Sequence, residues 1–194
     1  MSFKISMEEA QQLVNDILPG LTMFVRDVNL STVDAARYIP GMIIKELGYT
    51  DASHRVMGMV TSHRFAILSN HMRDLGPYEH GTNWGLCVAI RDAYFKVLDV
   101  YTFKGKTQIL LFHLPDDERW KWFKHLRLIL GEQNLEEKWI ADCRKRFEFK
   151  SQQEPIPELI TDDWLARCAW PLGMDGFGKI DNYGSPAEEN NNDN

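Results

Sequence analysis

Apolar and polar positions alternate along this chain with two different periods, and the change of period marks its elements. Met7, Ala10, Leu13, Val14, Ile17 and Leu18 repeat at helical spacing and make one apolar face. Ser6 and Glu9 have the spacing of a capping box, and Pro19-Gly20 ends the helix. "LTMFV" then reads as a short strand. Ser31 or Thr32 opens a second helical stretch through "VDAARY", Pro40 interrupts it by lacking an amide donor, and "GMIIKEL" resumes it as far as Gly48.

The middle of the chain reads as strands. "RVMGMV" and "RFAILSN" are nearly continuous apolar runs, as in strands covered on both faces, and they predict a hairpin around Thr61-Ser62. "FKVLDVYTFKGKTQILLFH" predicts a second hairpin turning at Lys104-Gly105. That turn sets Phe103 against Lys106 and Leu98 opposite Leu111, with Leu98, Val100, Ile109 and Leu111 on one face with His113.

Helical spacing returns after Pro115. Asp116 and Asp117 suit a helix start, followed by Trp122, Phe123, Leu126, Ile129 and Leu130 up to Gly131. Leu135, Trp139, Ile140, Cys143 and Phe147 form a further stripe, and Thr161 caps a short helix, "DDWLARCAW". The pattern predicts the α+β class: an antiparallel sheet of about five strands over residues 54–114, packed by N-terminal and C-terminal helices. Residues 1–184 are expected to form one globular domain. Residues 185–194, "SPAEENNNDN", are a polar acidic tail with no reason to order on its own.

Composition narrows the function classes. The chain has 194 residues and a formal net charge of −6, and a pI near 5.5. The charge is −2 over residues 1–103, +3 over 104–150 and −7 over 151–194. The basic middle is too mild for a nucleic-acid footprint. No apolar run approaches the ~20 residues that span a bilayer, and the opening residues lack a signal-peptide pattern. Cys87, Cys143 and Cys168 form no CxxC pair, which fits a reducing compartment. A cytoplasmic protein that binds neither nucleic acid nor membrane is expected.

The densest chemistry lies in "EHGTNWGLC", Glu79 to Cys87. If Cys87 began a helix, the chain could run papain-like or transglutaminase-like thiol chemistry, with Cys87 as nucleophile, His113 as base and Asp116 as orienter. If "GLCVAIR" is a strand, two strand spacings of about 9.5 Å separate Cys87 from His113. That exceeds the ~3 Å of a thiol–imidazole hydrogen bond. Val88, Ile90, Phe95 and Val97 favour the strand. The histidines at 54, 63, 71 and 80 show no HxH, HxxxH or HExxH spacing, so no metal site and no cofactor are expected.

With no motif for a catalytic set, the leading expectation is a non-enzymatic interaction protein, regulator-like or immunity-like, that binds a basic protein partner. Trp164 and Trp170 are the expected anchors, and Asp162, Asp163 and Asp175 supply an acidic face that speeds capture. The thiol hydrolase is the second expectation, and self-association through a hairpin edge the third.

Overall fold

Thr22–Val28 forms a strand in which every residue but the first is buried, a pattern that only a central strand can show. It belongs to a computed structural model that describes residues 6–124, 129–130 and 133–184. In chain order the elements are α1 (Met7–Gln12), continued by a π-type turn at Leu13–Ile17, then β1 (Thr22–Val28) and α2 (Thr32–Ala35). β2 (Ile43–Glu46), β3 (Thr50–Ser53), β4 (His63–Ser69), β5 (Arg73–Asp74), β6 (Leu86–Ala89), β7 (Ala93–Phe103) and β8 (Lys106–His113) follow. A 3-10 stretch at Glu118–Lys124, the small pair β9 (Ile129–Leu130) and β10 (Gln133–Asn134), α3 (Leu135–Lys150) and α4 (Asp162–Arg167) complete the described chain.

Strands β1 to β8 form one sheet in the order β2-β7-β8-β4-β1-β3-β6-β5. β4 and β8 pair in parallel, from His63↔Thr107 to Leu68↔Phe112. The neighbouring pairs β1–β4 and β7–β8 are antiparallel. This corrects the expected five-stranded antiparallel sheet sandwiched by terminal helices: the sheet has eight strands, is mixed, and takes its centre from the N-terminal part of the chain.

Two local misreadings account for much of the difference. "MIIKE" is not helical. Ile43 and Ile44 are both fully buried, but they enter the cores on opposite sides of the sheet. That is the period of two of a strand, fixed by pairing with β7 from Ile43↔Lys96 to Glu46↔Ala93. "RVMGMV" is not a strand and makes no hairpin with β4. The Met57 and Gly58 carbonyls instead accept hydrogen bonds from the Arg64 guanidinium.

The second hairpin has the predicted turn, with Lys104 and Gly105 at positive φ and Phe103 paired with Lys106. A bulge between Val97 and Asp99 shifts the register beyond it, so Leu111 faces Val97 instead of Leu98. Leu98 therefore packs on the opposite side from Ile109 and Leu111.

One core includes Val25, Ala66, Leu68, Leu110 and Phe112 under Cys143 and Phe147 of α3. The other gathers Phe24, Phe65, Ile67, Ile109 and Leu111 and is closed by Tyr38, Met42 and Leu172. Residues after α4 run back to the free edge of β2. The Ile43 amide donates to Asn182 Oδ1, and the Ile43 carbonyl accepts from the Tyr183 amide. No helix among the described residues is long and apolar enough to cross a membrane. Leu126 of the expected stripe and the tail at 185–194 lie outside the described residues.

Candidate metal centre

The parallel pairing of β4 with β8 sets the C-terminal ends of both strands side by side. Ser69 ends β4 and His113 ends β8. Both are buried, and Ser69 Oγ lies 2.9 Å from His113 Nδ1. The His113 ring stacks on Phe95 of β7 at 4.8 Å between centroids. Two residues past β4, the His71 ring stacks on the other imidazole at 3.9 Å, and its Nδ1 lies 2.8 Å from Asn70 Oδ1.

With both Nδ1 atoms engaged, both Nε2 atoms point to the same place. Each lies 3.7 Å from Asp116 Oδ1. That is beyond hydrogen-bond reach, and both Nε2 atoms are buried without a hydrogen-bond partner. One ligand atom from each of His71, His113 and Asp116 falls within 4.8 Å of the other two. Tetrahedral or octahedral coordination by imidazole and carboxylate places such atoms about 3–3.4 Å apart, so each imidazole is a few tenths of an ångström too far from the carboxylate for a shared ion.

The electrostatics suit a cation. Burial, reinforced by the neighbouring His113, pushes the His71 imidazole down to about 4, so it is neutral and has a free lone pair at pH 7. The adjacent His113 imidazole, ahead of His71 and Arg73, holds the Asp116 carboxyl below the usual carboxylate range. Asp116 is partly exposed on its side chain, so the cluster opens on its carboxylate side. Closed structural zinc sites have four protein ligands, whereas sites with three keep a position for water or substrate.

The expected thiol triad is only half assembled. His113 and Asp116 adjoin, but Cys87 lies on β6, and β4, β1 and β3 separate β6 from β8. Four strand spacings are about 19 Å. Cys87 is a mid-strand residue, 3% exposed, beside His54 and Asp74. The loop before it is a carboxylate-centred turn: Glu79 accepts from the amides of Trp84 and Leu86 and from the Thr82 hydroxyl.

Of the expected partner contacts, Trp164 is 2% exposed and packs on Trp84 with ring centroids 5.4 Å apart, inside a small core with Leu159 and Cys168. Trp170, Asp162, Asp163 and Asp175 are exposed. The Asp175 carboxylate accepts from the amides of Phe177 and Lys179 in its own loop.

Sequence reasoning paired His113 with Asp116 but grouped His71 with the other histidines of the 54–80 run, and it gave Ser69 no part. The visible signal was two short polar endings, "SNH" and "HLPD", each after an apolar strand. Only the parallel register, between strands more than 40 residues apart, brings them together.

No family model matches the sequence, and no curated protein matches it. Solved structures with partly similar arrangements were found. The ADP-ribosyltransferase HopU1 of Pseudomonas syringae is 13% identical, covers 48% of this chain and 45% of its own, and has a TM-score of 0.43. Exoenzyme S from Pseudomonas aeruginosa, solved in complex with human 14-3-3 protein beta, is 13% identical over 55% of this chain and 54% of its own, with a TM-score of 0.41. The type III effector XopAI from Xanthomonas axonopodis is 11% identical over 48% and 44%, with a TM-score of 0.42. The chain thus spans about half the length of the structures it matches.

The non-enzymatic interaction protein expected from the sequence is corrected here. One of its two tryptophan anchors, Trp164, is core and offers no contact surface.

Proposed function

We propose that the protein is a metal-dependent enzyme whose divalent first-row transition ion is held by His71 Nε2, His113 Nε2 and one oxygen of Asp116. The observation that carries this reading is the pair of buried, unpartnered Nε2 atoms aimed at a single carboxylate. Leaving such atoms unpaired costs about 1–3 kcal/mol each, a cost that a metal removes. Ser69 and Asn70 fix the ring orientations from behind, the role that hydrogen-bonded partners play at histidine ligands generally. When bound, such an ion supplies Lewis-acid polarisation or a water acidified toward neutral pH. Asp116 would present that chemistry to solvent, and the Phe95 ring would shield it from the sheet side.

The test is metal retention. After loading with manganese(II), which does not favour thiolate ligands, and desalting, the wild-type chain should keep close to one equivalent. Asp116→Asn, at a partly exposed position, and His113→Ala should keep far less. Wild-type protein that retains no ion above the level of the two variants would overturn the reading.

A second reading, ADP-ribosyl transfer from NAD, takes its name from the matched proteins and its support from Arg26. This guanidinium is 4% exposed. Two of its nitrogens donate to the carbonyls of Asp51 and Trp170, and Nε has no partner. The Asp27 and Asp51 carboxylates are taken by Arg64 and Arg167. A buried cation so placed suits a diphosphate. Release of nicotinamide from NAD by the wild type, lost in Arg26→Lys, would support this reading; no release would end it.

A further inference from the structure

We infer that Cys87, His54 and Asp74 form a second, sulfur-containing cation site that takes a thiophilic divalent ion such as zinc. The site does not depend on the His71–His113–Asp116 reading. Its three ligands come from three adjacent segments. Asp74 of β5 stands directly opposite Cys87 of β6 in register, so their side chains rise on the same face. Cys87 also faces Ala52 of β3, and His54 follows that strand by one residue.

Cys87 Sγ lies 3.9 Å from His54 Nδ1, and the three ligand atoms fall within 4.8 Å of one another. Sulfur and nitrogen on one tetrahedral zinc are ~3.6 Å apart, given bonds of about 2.3 and 2.0 Å. Closing the gap takes a small rotation of an exposed histidine. The group sits on the wall of a cleft of about 390 Å³, which gives an ion an entry path and room for a water as fourth ligand.

The backbone makes room for the imidazole. Gly85 has φ +65°, and a Cβ there would lie 2.9 Å from His54 Cε1 and Nε2. With no side chain at residue 85, the ring can approach the backbone just before the strand that carries Cys87. A thiol and a carboxylate held face to face repel each other once both ionise. A divalent ion resolves that conflict by neutralising both and displacing the thiol proton. Arg146 and Lys150, which also line the cleft, keep the surrounding potential from becoming strongly negative.

Cobalt(II) tests the site, because only a thiolate ligand gives an intense sulfur-to-metal charge-transfer band in the near ultraviolet. Full-length protein, stripped with chelator and kept reduced, is titrated with cobalt(II) alone. The band should develop and saturate, with an endpoint near one equivalent when the sulfur-free site is removed by His71→Ala/His113→Ala. It should vanish in Cys87→Ser and persist in Cys143→Ser and Cys168→Ser. His54→Ala and Asp74→Asn change exposed side chains and leave the core alone, so they should fold normally and weaken binding about tenfold or more. The band should survive intact in a His71→Ala/His113→Ala double variant, which separates this site from the one without sulfur. No band in the wild type, a band retained in Cys87→Ser, or undiminished affinity in both His54→Ala and Asp74→Asn would each overturn the inference.

Discussion

Arg64 of β4 stands directly opposite Asp27 of β1, and the two side chains close a two-pronged ion pair, with Nη2 2.9 Å from Oδ2, in the middle of the sheet. Their side chains are only 2% and 7% exposed. The same guanidinium donates to the Met57 and Gly58 carbonyls and to Ser151 Oγ, while Asp27 accepts from the Val60 amide. The pair therefore ties the unpaired 57–60 run and the end of α3 to two central strands. Replacing one member leaves the other buried without its countercharge, which costs about 3–5 kcal/mol. Arg64→Ala should lower the urea midpoint accordingly. A shift worth less than ~1 kcal/mol would mean that water reaches the pair.

Gly173 has φ +70°, and a Cβ built there lies 2.9 Å from Cβ of the fully buried Ile44. Neither the backbone conformation nor the neighbour can yield cheaply. Gly173→Ala should lose about 2 kcal/mol, read as a fall in Tm of about 4–8 °C. An unchanged Tm would show that the segment after α4 shifts freely over β2.

Glu79 answers for the "EHGTNWGLC" stretch. Its carboxylate gathers two backbone amides and a hydroxyl, and charge-assisted bonds of that kind are the strong ones. Glu79→Ala orphans the Trp84 and Leu86 amides and should cost about 1–3 kcal/mol. Amide exchange at residue 86 should accelerate in proportion. Exchange as slow as in the wild type would assign the loop's order to something else.

The three cysteines should resist alkylation at neutral pH. Burial pushes the Cys87 and Cys143 thiols up to about 11 and Cys168 to about 12; Asp74 and Glu79 add to the shift at Cys87. At pH 8 the thiolate fraction of a group at 11 is about one in a thousand. Iodoacetamide labelling of the native, metal-free protein, mapped by peptide, should be slow at pH 8 and rise toward pH 11. Rapid labelling of Cys87 at pH 7 would show that burial does not hold its thiol protonated.

Much of the strand content was legible because it depends on local pattern. "LTMFV" carries β1, the alternation in "GLCVAI" carries β6, and Lys104-Gly105 fixes the β7–β8 turn. The stripe from Trp139 through Cys143 to Phe147 likewise marks α3. The order of the sheet was not legible, because adjacency between β4 and β8, or β1 and β3, depends on contacts distant in sequence. Ile43 and Ile44 were misread for a related reason: a four-residue strand buried on both faces has no visible period. The candidate metal centre inherits that blindness. His113 and Asp116 are close in sequence and could be paired by eye. His71 joins them only through a parallel register that no spacing rule encodes.

The bonds between Ile43 and the Asn182–Tyr183 segment bear on whether copies of the protein can pair edge to edge. β2 is an outermost strand, and an outermost strand with free amides and carbonyls is a template for the next molecule. Here the chain occupies part of that template itself, through Asn182 Oδ1 and the Tyr183 amide. The opposite margin, β5, is two residues long and offers little to recruit. A version ending at Ile180 would keep that residue against its core yet uncover the Ile43 edge, converting a self-capped sheet into one that can grow by addition of copies.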